Sequence, residues 1–294
     1  MVQGHLLPTE VSNRPVNVAS VPQRSLFRYP GGKTWLVPRV RQWLMSMTQK
    51  PRCFVEPFLG GGIISLTVAS EDLAESVDMV ELDDEVAAVW KAVLGNDADW
   101  LSKRIGKFDL TEDSVRQVLN SQPVSLREKA FRTIVKNRVN RGGILAPGAG
   151  VQKSGENGKG LKSRWYPATL QKRIEGIRRV SHRMTFTEGD GLEILSSYVD
   201  NGTPDSVYFI DPPYTVSGKR AGSRLYKHSE IDHERLFHTA SNLEGDFLMT
   251  YDNCPEVQHL ATRHRFDTLP IAMKNTHHAE MTELLISSNL DWTI

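Results

Sequence analysis

Cysteine is scarce in this sequence: Cys53 and Cys254 are the only two among 294 residues. A disulfide framework or a zinc cluster would need more cysteines at closer spacing. A reducing, cytoplasmic compartment is therefore the expectation. Long apolar runs are also missing. None approaches the ~20 residues that span a bilayer, and no basic-then-apolar leader opens the chain, so no membrane association is expected. Nine histidines are present. His277-His278 and the pair His228 and His233 nevertheless lack Cys or Glu partners at ligand spacing, which argues against a metal site.

An excess of charge of one sign is missing as well, because the net charge is +1. The even balance conceals a strong asymmetry. Residues 97–180 carry 18 Lys/Arg against 8 Asp/Glu, and the remainder carries 18 against 27. A basic middle segment in an otherwise acidic chain suits a polyanionic partner. The alternative is a solvated basic face with no partner.

The chain has 39% hydrophobic and 24% charged residues, enough for a sizeable core. Residues 1–22 hold Pro8, Pro15 and Pro22 without periodicity and suit a tail or extended arm. From residue 52 the pattern changes. A strand at 52–56, a glycine turn, a helix at 63–69, a strand at 77–82 and a helix at 85–94 open a doubly wound, Rossmann-like α/β sheet. Residues 97–180 break the alternation with helical patterns and a Gly/Lys-rich loop at 142–164. Strand-like runs resume at 184–187, 207–210, 247–251, 266–271 and 284–287, with a helix at 233–243. The expected organisation is a catalytic α/β domain at 23–96 and 181–294, interrupted by a basic helical insertion at 97–180.

Asp211-Pro212-Pro213-Tyr214 lies at the end of the apolar strand 207–210, the edge at which open α/β sheets bind ligands. The residue types suit methylation of a planar exocyclic amine. Its lone pair is delocalised into the ring, so it is a poor nucleophile. The Asp211 carboxylate and the Pro212 carbonyl can accept its two hydrogens and favour a localised lone pair. The prolines stiffen that backbone. Tyr214 can stack on a base. On its own, the tetrapeptide is equally compatible with a plain strand-to-loop turn.

Glu56-Pro57-Phe58-Leu59-Gly60-Gly61-Gly62 follows the first strand. It lacks the dinucleotide fingerprint and a Walker Lys-Ser/Thr, so a phosphate-free nucleoside fits better. Gly60 and Gly62 would permit close backbone approach, with Glu56 and Phe58 beside them. Glu81 ends the next strand, where an acid can accept ribose hydroxyls. Asp190, at the following strand end, can bind an adenine amine. Tyr29-Pro30-Gly31-Gly32-Lys33 adds an aromatic ring for packing and a cation for a carboxylate or the target site.

These residues resemble the Dam-like DNA adenine N6-methyltransferases, in the permuted order that places the cofactor motifs first and Asp-Pro-Pro-Tyr last. The resemblance rests on Tyr29 to Lys33, Phe54 to Gly62, Glu81-Leu82-Asp83, Asn137-Arg138 with Arg141-Gly142-Gly143, Asp190 and Asp211 to Tyr214, and it spans roughly residues 25–290. It implies S-adenosylmethionine as methyl donor and a flipped-out adenine in double-stranded DNA as substrate. It also implies cofactor contacts at Tyr29, Lys33, Glu81 and Asp211. Position 29 is Tyr where Dam has Trp, and position 81 is Glu where Dam has Asp. Such an enzyme acts alone or beside a cognate restriction enzyme.

Residues 127–180 hold 14 Lys/Arg against 3 Asp/Glu, so phosphate contacts should dominate DNA affinity. Lys136, Asn137, Arg138, Asn140, Arg141 and Lys153 are the candidates. Arg and Asn suit guanine and adenine edges in the major groove. Trp165-Tyr166 is expected to pack in the core, with stacking on DNA as the alternative. Two other functions compete. One is a catalytically silent DNA-binding regulator, which the intact tetrapeptide disfavours. The other is methylation of cytosine N4, RNA or a protein amide. The basic insertion disfavours a small or protein substrate, and Asp rather than Asn at 211 points away from protein amides.

Overall fold

Alternation along the strands decides the layering. In β1 (Cys53–Glu56) Phe54 joins one buried cluster and Val55 another. In β4 (Ser206–Ile210) Val207 and Phe209 face one way, Tyr208 and Ile210 the other. β5 (Phe247–Asp252) and β7 (Glu280–Ser287) divide likewise, with Leu248 and Leu285 on the first face and Met249 and Ile286 on the second. Side chains alternate along a strand, so a sheet apolar on both sides must be covered on both sides. The computed structural model shows that three-layer arrangement. It describes residues 16–153, 155, 158–214, 227–228, 230–274 and 280–293. Residues 1–15 of the expected arm and His277-His278 lie outside the described residues.

The other strands are β2 (Ser76–Glu81), β3 (Met184–Glu188) and β6 (Asp267–Lys274). Their order is β3-β2-β1-β4-β5-β7-β6. β1 to β5 run parallel, and β7 is antiparallel to β5 and β6. The chain winds outward from β1 to β3, then restarts at β4 on the opposite side of β1. At this reversal the connections leaving β1 and β4 diverge and open a crevice beyond the strand ends. Glu56 ends β1 there, and Asp211 follows β4.

On the first face lie α1 (Val37–Ser46), α2 (Ile63–Ser70) and α3 (Asp84–Leu94). α3 starts where Asp83 accepts Glu85 N at 2.8 Å and Val86 N, with Asp84 and Glu85 in its positive first turn. The middle segment is largely helical, as expected: α4 (Ala98–Lys107), α5 (Glu112–Asn120), α6 (Leu126–Val139) and α7 (Pro167–Val180). Leu101, Ile134 and Ile174 join the same apolar cluster as Phe54 and Trp90. The segment therefore extends the first core and does not close a separate one. α8 (Gly191–Asn201), α9 (His233–Ala240) and α10 (Pro255–Arg263) cover the second face through Leu195, Phe237 and Val257. Residues 16–22 hold a 3-10 turn at Val18–Ser20, and Val21 is buried, so this part of the expected tail is anchored.

Candidate active site

Three adjacent strands each contribute one polar residue to a common face. On β4 the face of Phe209 continues to Asp211. On β5 the face of Leu248 continues to Thr250. On β7 Leu285 shares its side with Glu283. Thr250 Oγ1 donates to Asp211 Oδ1 at 2.7 Å. Tyr214 OH donates to the same oxygen at 2.9 Å and lies 3.3 Å from Glu283 Oε2. Lys33 Nζ sits 2.9 Å from Asp211 Oδ1 and 3.7 Å from Glu283 Oε2, with its side chain only 4% exposed. Among the described residues, the hydrogen bonds and ion pair of Asp211 all use Oδ1. A carboxylate has four acceptor sites, so Oδ2 retains its acceptor capacity.

Tyr214 stacks on Tyr251 with centroids 5.6 Å apart and planes inclined by 24°. Lys33 Nζ lies 4.9 Å from the Tyr214 centroid, within cation–π range. Burial foremost, with Asp211 and Glu283 nearby, pushes the Tyr214 hydroxyl well above its ordinary range. It remains a neutral donor.

The glycine turn between β1 and α2 depends on two left-handed residues. Gly60 has φ +48° and Gly62 φ +61°. A Cβ at Gly60 would stand 2.6 Å from Tyr29 Cε1, and one at Gly62 2.6 Å from Trp90 Cζ2. Tyr29 thus lies directly against the turn, and Trp90 supports it from below and donates to Gly60 O at 3.2 Å. Glu81 Oε2 accepts Gly60 N at 2.7 Å, and Oε1 accepts Asp83 N at 2.8 Å. Both oxygens keep acceptor capacity. Burial, chiefly, raises the Glu81 carboxyl to about 7. Glu56 Oε2 accepts Ser65 N at 2.9 Å and the Ser65 hydroxyl. Burial, the dominant cause, pushes Glu56 up to about 8, so it is largely a neutral carboxyl at pH 7. Asp190 caps α8 through Oδ1, which accepts Leu192 N at 2.8 Å.

A cavity of about 680 Å³ joins these groups, within the usual range for small-molecule sites. Tyr29, Lys33, Glu56, Phe58, Gly60, Gly62, Glu81, Asp190, Asp211, Pro212 and Tyr214 all line it. Every residue nominated from the sequence for catalysis or cofactor contact therefore borders one space. Its volume, its acidic strand ends and its glycine floor suit a nucleoside beside a planar base.

A comparison with family models matches residues 29–276 to the D12 class N6 adenine-specific DNA methyltransferases. The chain belongs to this family. A comparison with curated proteins gives no match. Among solved structures, a proposed RNA methyltransferase from Pyrococcus horikoshii is 11% identical, with TM-score 0.40 and 92% of each chain covered. The rRNA methyltransferase aviRa from Streptomyces viridochromogenes is 15% identical, with TM-score 0.44, covering 95% of this chain and 96% of its own. Likeness this low carries no argument about substrate.

The position of the basic segment in this adenine-specific methyltransferase corrects part of the sequence reading. Asn137 is fully buried. Its Oδ1 accepts Arg28 N at 2.9 Å, and its Nδ2 donates to Arg28 O at 3.0 Å and Gly143 O at 2.7 Å. Arg138 is 6% exposed and donates to Leu26 O. Burial first, then Arg173, Arg28 and Arg164, lowers its guanidinium to about 9. Asn140 is buried and donates to Ile144 O at 2.7 Å. Lys136 pairs with Glu85 at 2.5 Å. Suited by residue type to base edges, Asn137, Arg138 and Asn140 instead bond backbone carbonyls: Asn137 and Arg138 clamp the stretch leading into Tyr29, and Asn140 holds Ile144. Arg141 and Lys153 are exposed. Of the pair assigned to the core, Trp165 is buried against Phe108 and Tyr166 is 48% exposed.

Thr250, Tyr251 and Glu283 belong to the same cluster and escape sequence reasoning. Thr250 and Tyr251 look like ordinary strand residues. Glu283 carries a signal in retrospect, as an acid directly before the apolar run Leu284-Leu285-Ile286.

Proposed function

We propose that this adenine-specific DNA methyltransferase holds a flipped-out adenine of duplex DNA against Asp211 and takes the methyl group from S-adenosylmethionine. The anchored Asp211 carboxylate carries this reading. With Oδ1 held by Thr250, Tyr214 and Lys33, Oδ2 is the acceptor for one N6 hydrogen. The Pro212 carbonyl is the acceptor for the other. Together they favour a localised lone pair on N6. Transfer leaves S-adenosylhomocysteine as the neutral thioether, and the surplus proton is then lost from the methylated N6, with Asp211 Oδ2 as an acceptor. Tyr214 supplies a stacking surface for the base, which must leave the helix to reach the crevice.

S-adenosylmethionine, when bound, supplies an electrophilic methyl group on a sulfonium. Gly60 and Gly62 let the backbone approach its nucleoside, and Tyr29 and Phe58 flank it. Glu81 accepts its ribose hydroxyls and Asp190 its adenine amine. Glu56 stiffens the turn through Ser65. Segment 97–180 is the DNA-facing part, with Arg141 and Lys153 as phosphate contacts.

The test is transfer from a methyl-labelled donor to duplex DNA, followed by base analysis. Label in N6-methyladenine is the expected result. Label confined to cytosine, RNA or protein refutes the proposal.

A further inference from the structure

A carboxylate at Glu283 is costly. It is 8% exposed and sits mid-strand, paired across β5 with Asp252 and across β6 with Ile271. Its neighbours Leu284, Leu285 and Ile286 are at most 2% exposed. An apolar residue would serve packing better, since a buried ion pair rarely exceeds its own desolvation penalty. Two further negative groups lie nearby, Asp211 and Asp252. Among the described residues, Lys33 at 3.7 Å and the Tyr214 hydroxyl at 3.3 Å compensate it. Those two groups, together with Thr250, also grip Asp211 Oδ1.

We propose that Glu283 is a positioning residue for methyl transfer, holding Lys33 and Tyr214 against Asp211 so that Asp211 presents one fixed oxygen to the amine. This inference rests on the catalytic assignment of Asp211 made above. Lys33 is shared between two carboxylates, so its Nζ is located by both. Tyr214 OH spans the same two carboxylates, which sets the plane of the ring on which the base stacks.

A pH signature follows. Burial foremost raises the Glu283 carboxyl above its usual range. Asp211 and Asp252 add to the rise, and Lys33 and the Tyr214 hydrogen bond oppose it. These are the charged and titratable groups facing it among the described residues: Lys33 from the glycine loop, Asp211 and Tyr214 from the end of β4, and Asp252 from β5. Protonated Glu283 is close to a glutamine in shape and charge.

The experiment measures methylation of duplex DNA across pH 5.5–9 for wild type, Glu283→Gln and Glu283→Asp, with donor affinity and melting temperature for each. At pH 8 Glu283→Gln should lower kcat roughly 10- to 100-fold, the effect of losing a charged hydrogen-bond partner. KM for DNA should change little. The gap to wild type should narrow as pH falls, because wild type then carries a neutral side chain too. Glu283→Asp keeps the charge and should recover part of the rate and the pH dependence. A gap constant with pH, or Glu283→Gln equal to wild type throughout, overturns the inference. Should Glu283→Gln not fold, Glu283→Asp decides alone: a pH profile shaped unlike wild type overturns it. Wild type that fails to methylate adenine overturns the catalytic reading itself, a result distinct from all of these.

Discussion

Lys33 Nζ stands 2.9 Å from Asp211 Oδ1, and this contact joins the glycine loop that precedes α1 to the tetrapeptide that follows β4. Asp211→Asn keeps the shape and removes the charge. Transfer should fall at least about 10³-fold, the scale seen when a pre-organised electrostatic group is lost. Donor and DNA binding should persist. Turnover within tenfold of wild type would remove Asp211 from its role.

Tyr214 combines two functions that substitution can separate. Tyr214→Phe keeps the ring on Tyr251 and loses the hydroxyl bonds to Asp211 and Glu283. Tyr214→Ala loses the ring as well and should cost a further ~1–3 kcal/mol of base stacking. With 2-aminopurine at the target position, Ala should reduce the fluorescence change on binding and Phe should preserve it. Equal behaviour of the two variants would argue against stacking.

Gly62→Ala should destabilise the protein by about 1–3 kcal/mol, because φ is +61° and the new Cβ would stand 2.6 Å from Trp90 Cζ2. Melting should drop by several degrees, and Trp90 emission should shift. An unchanged melt would show that the turn has another conformation available.

Glu56 and Glu81 make stability depend on pH. Their folded values of about 8 and about 7 lie above the ordinary carboxylate range. Between pH ~4.5 and ~8 the folded state therefore holds more protons than the unfolded state. Stability should fall as pH rises through that window and level off above it. Glu56→Gln should melt higher than wild type at pH 8.5, with the advantage vanishing near pH 4.5. A pH-independent difference, measured without cofactor, would contradict the assignment.

Asn137 and Arg141 should separate cleanly. Asn137→Ala removes the bonds to Arg28 N, Arg28 O and Gly143 O and should cost ~1–3 kcal/mol of stability. Arg141→Ala should leave the melt unchanged, weaken DNA binding and reduce the salt slope by about 1. A melting loss in Arg141→Ala would indicate a structural role.

The strand and helix order around 53–94, the glycine turn, the strand ends at Glu81 and Asp190, and the catalytic tetrapeptide were legible in the sequence. Local physics encodes each one: apolar periodicity, positive-φ glycines and stiff prolines act over a few residues. The outward-facing and inward-facing roles in 136–141 were not legible. Arg and Asn have the same identity whether they meet DNA or a backbone carbonyl, and only the packing of α6 on α3 turns Asn137 and Arg138 inward. Glu283 and Thr250 became site residues because β5 and β7 lie beside β4 in the sheet. Strand order is set by long-range pairing and burial on two faces, and no local pattern in a single strand carries that information. The sequence by itself determined what chemistry is available at Asp211; the tertiary structure decided which groups hold that carboxylate in place.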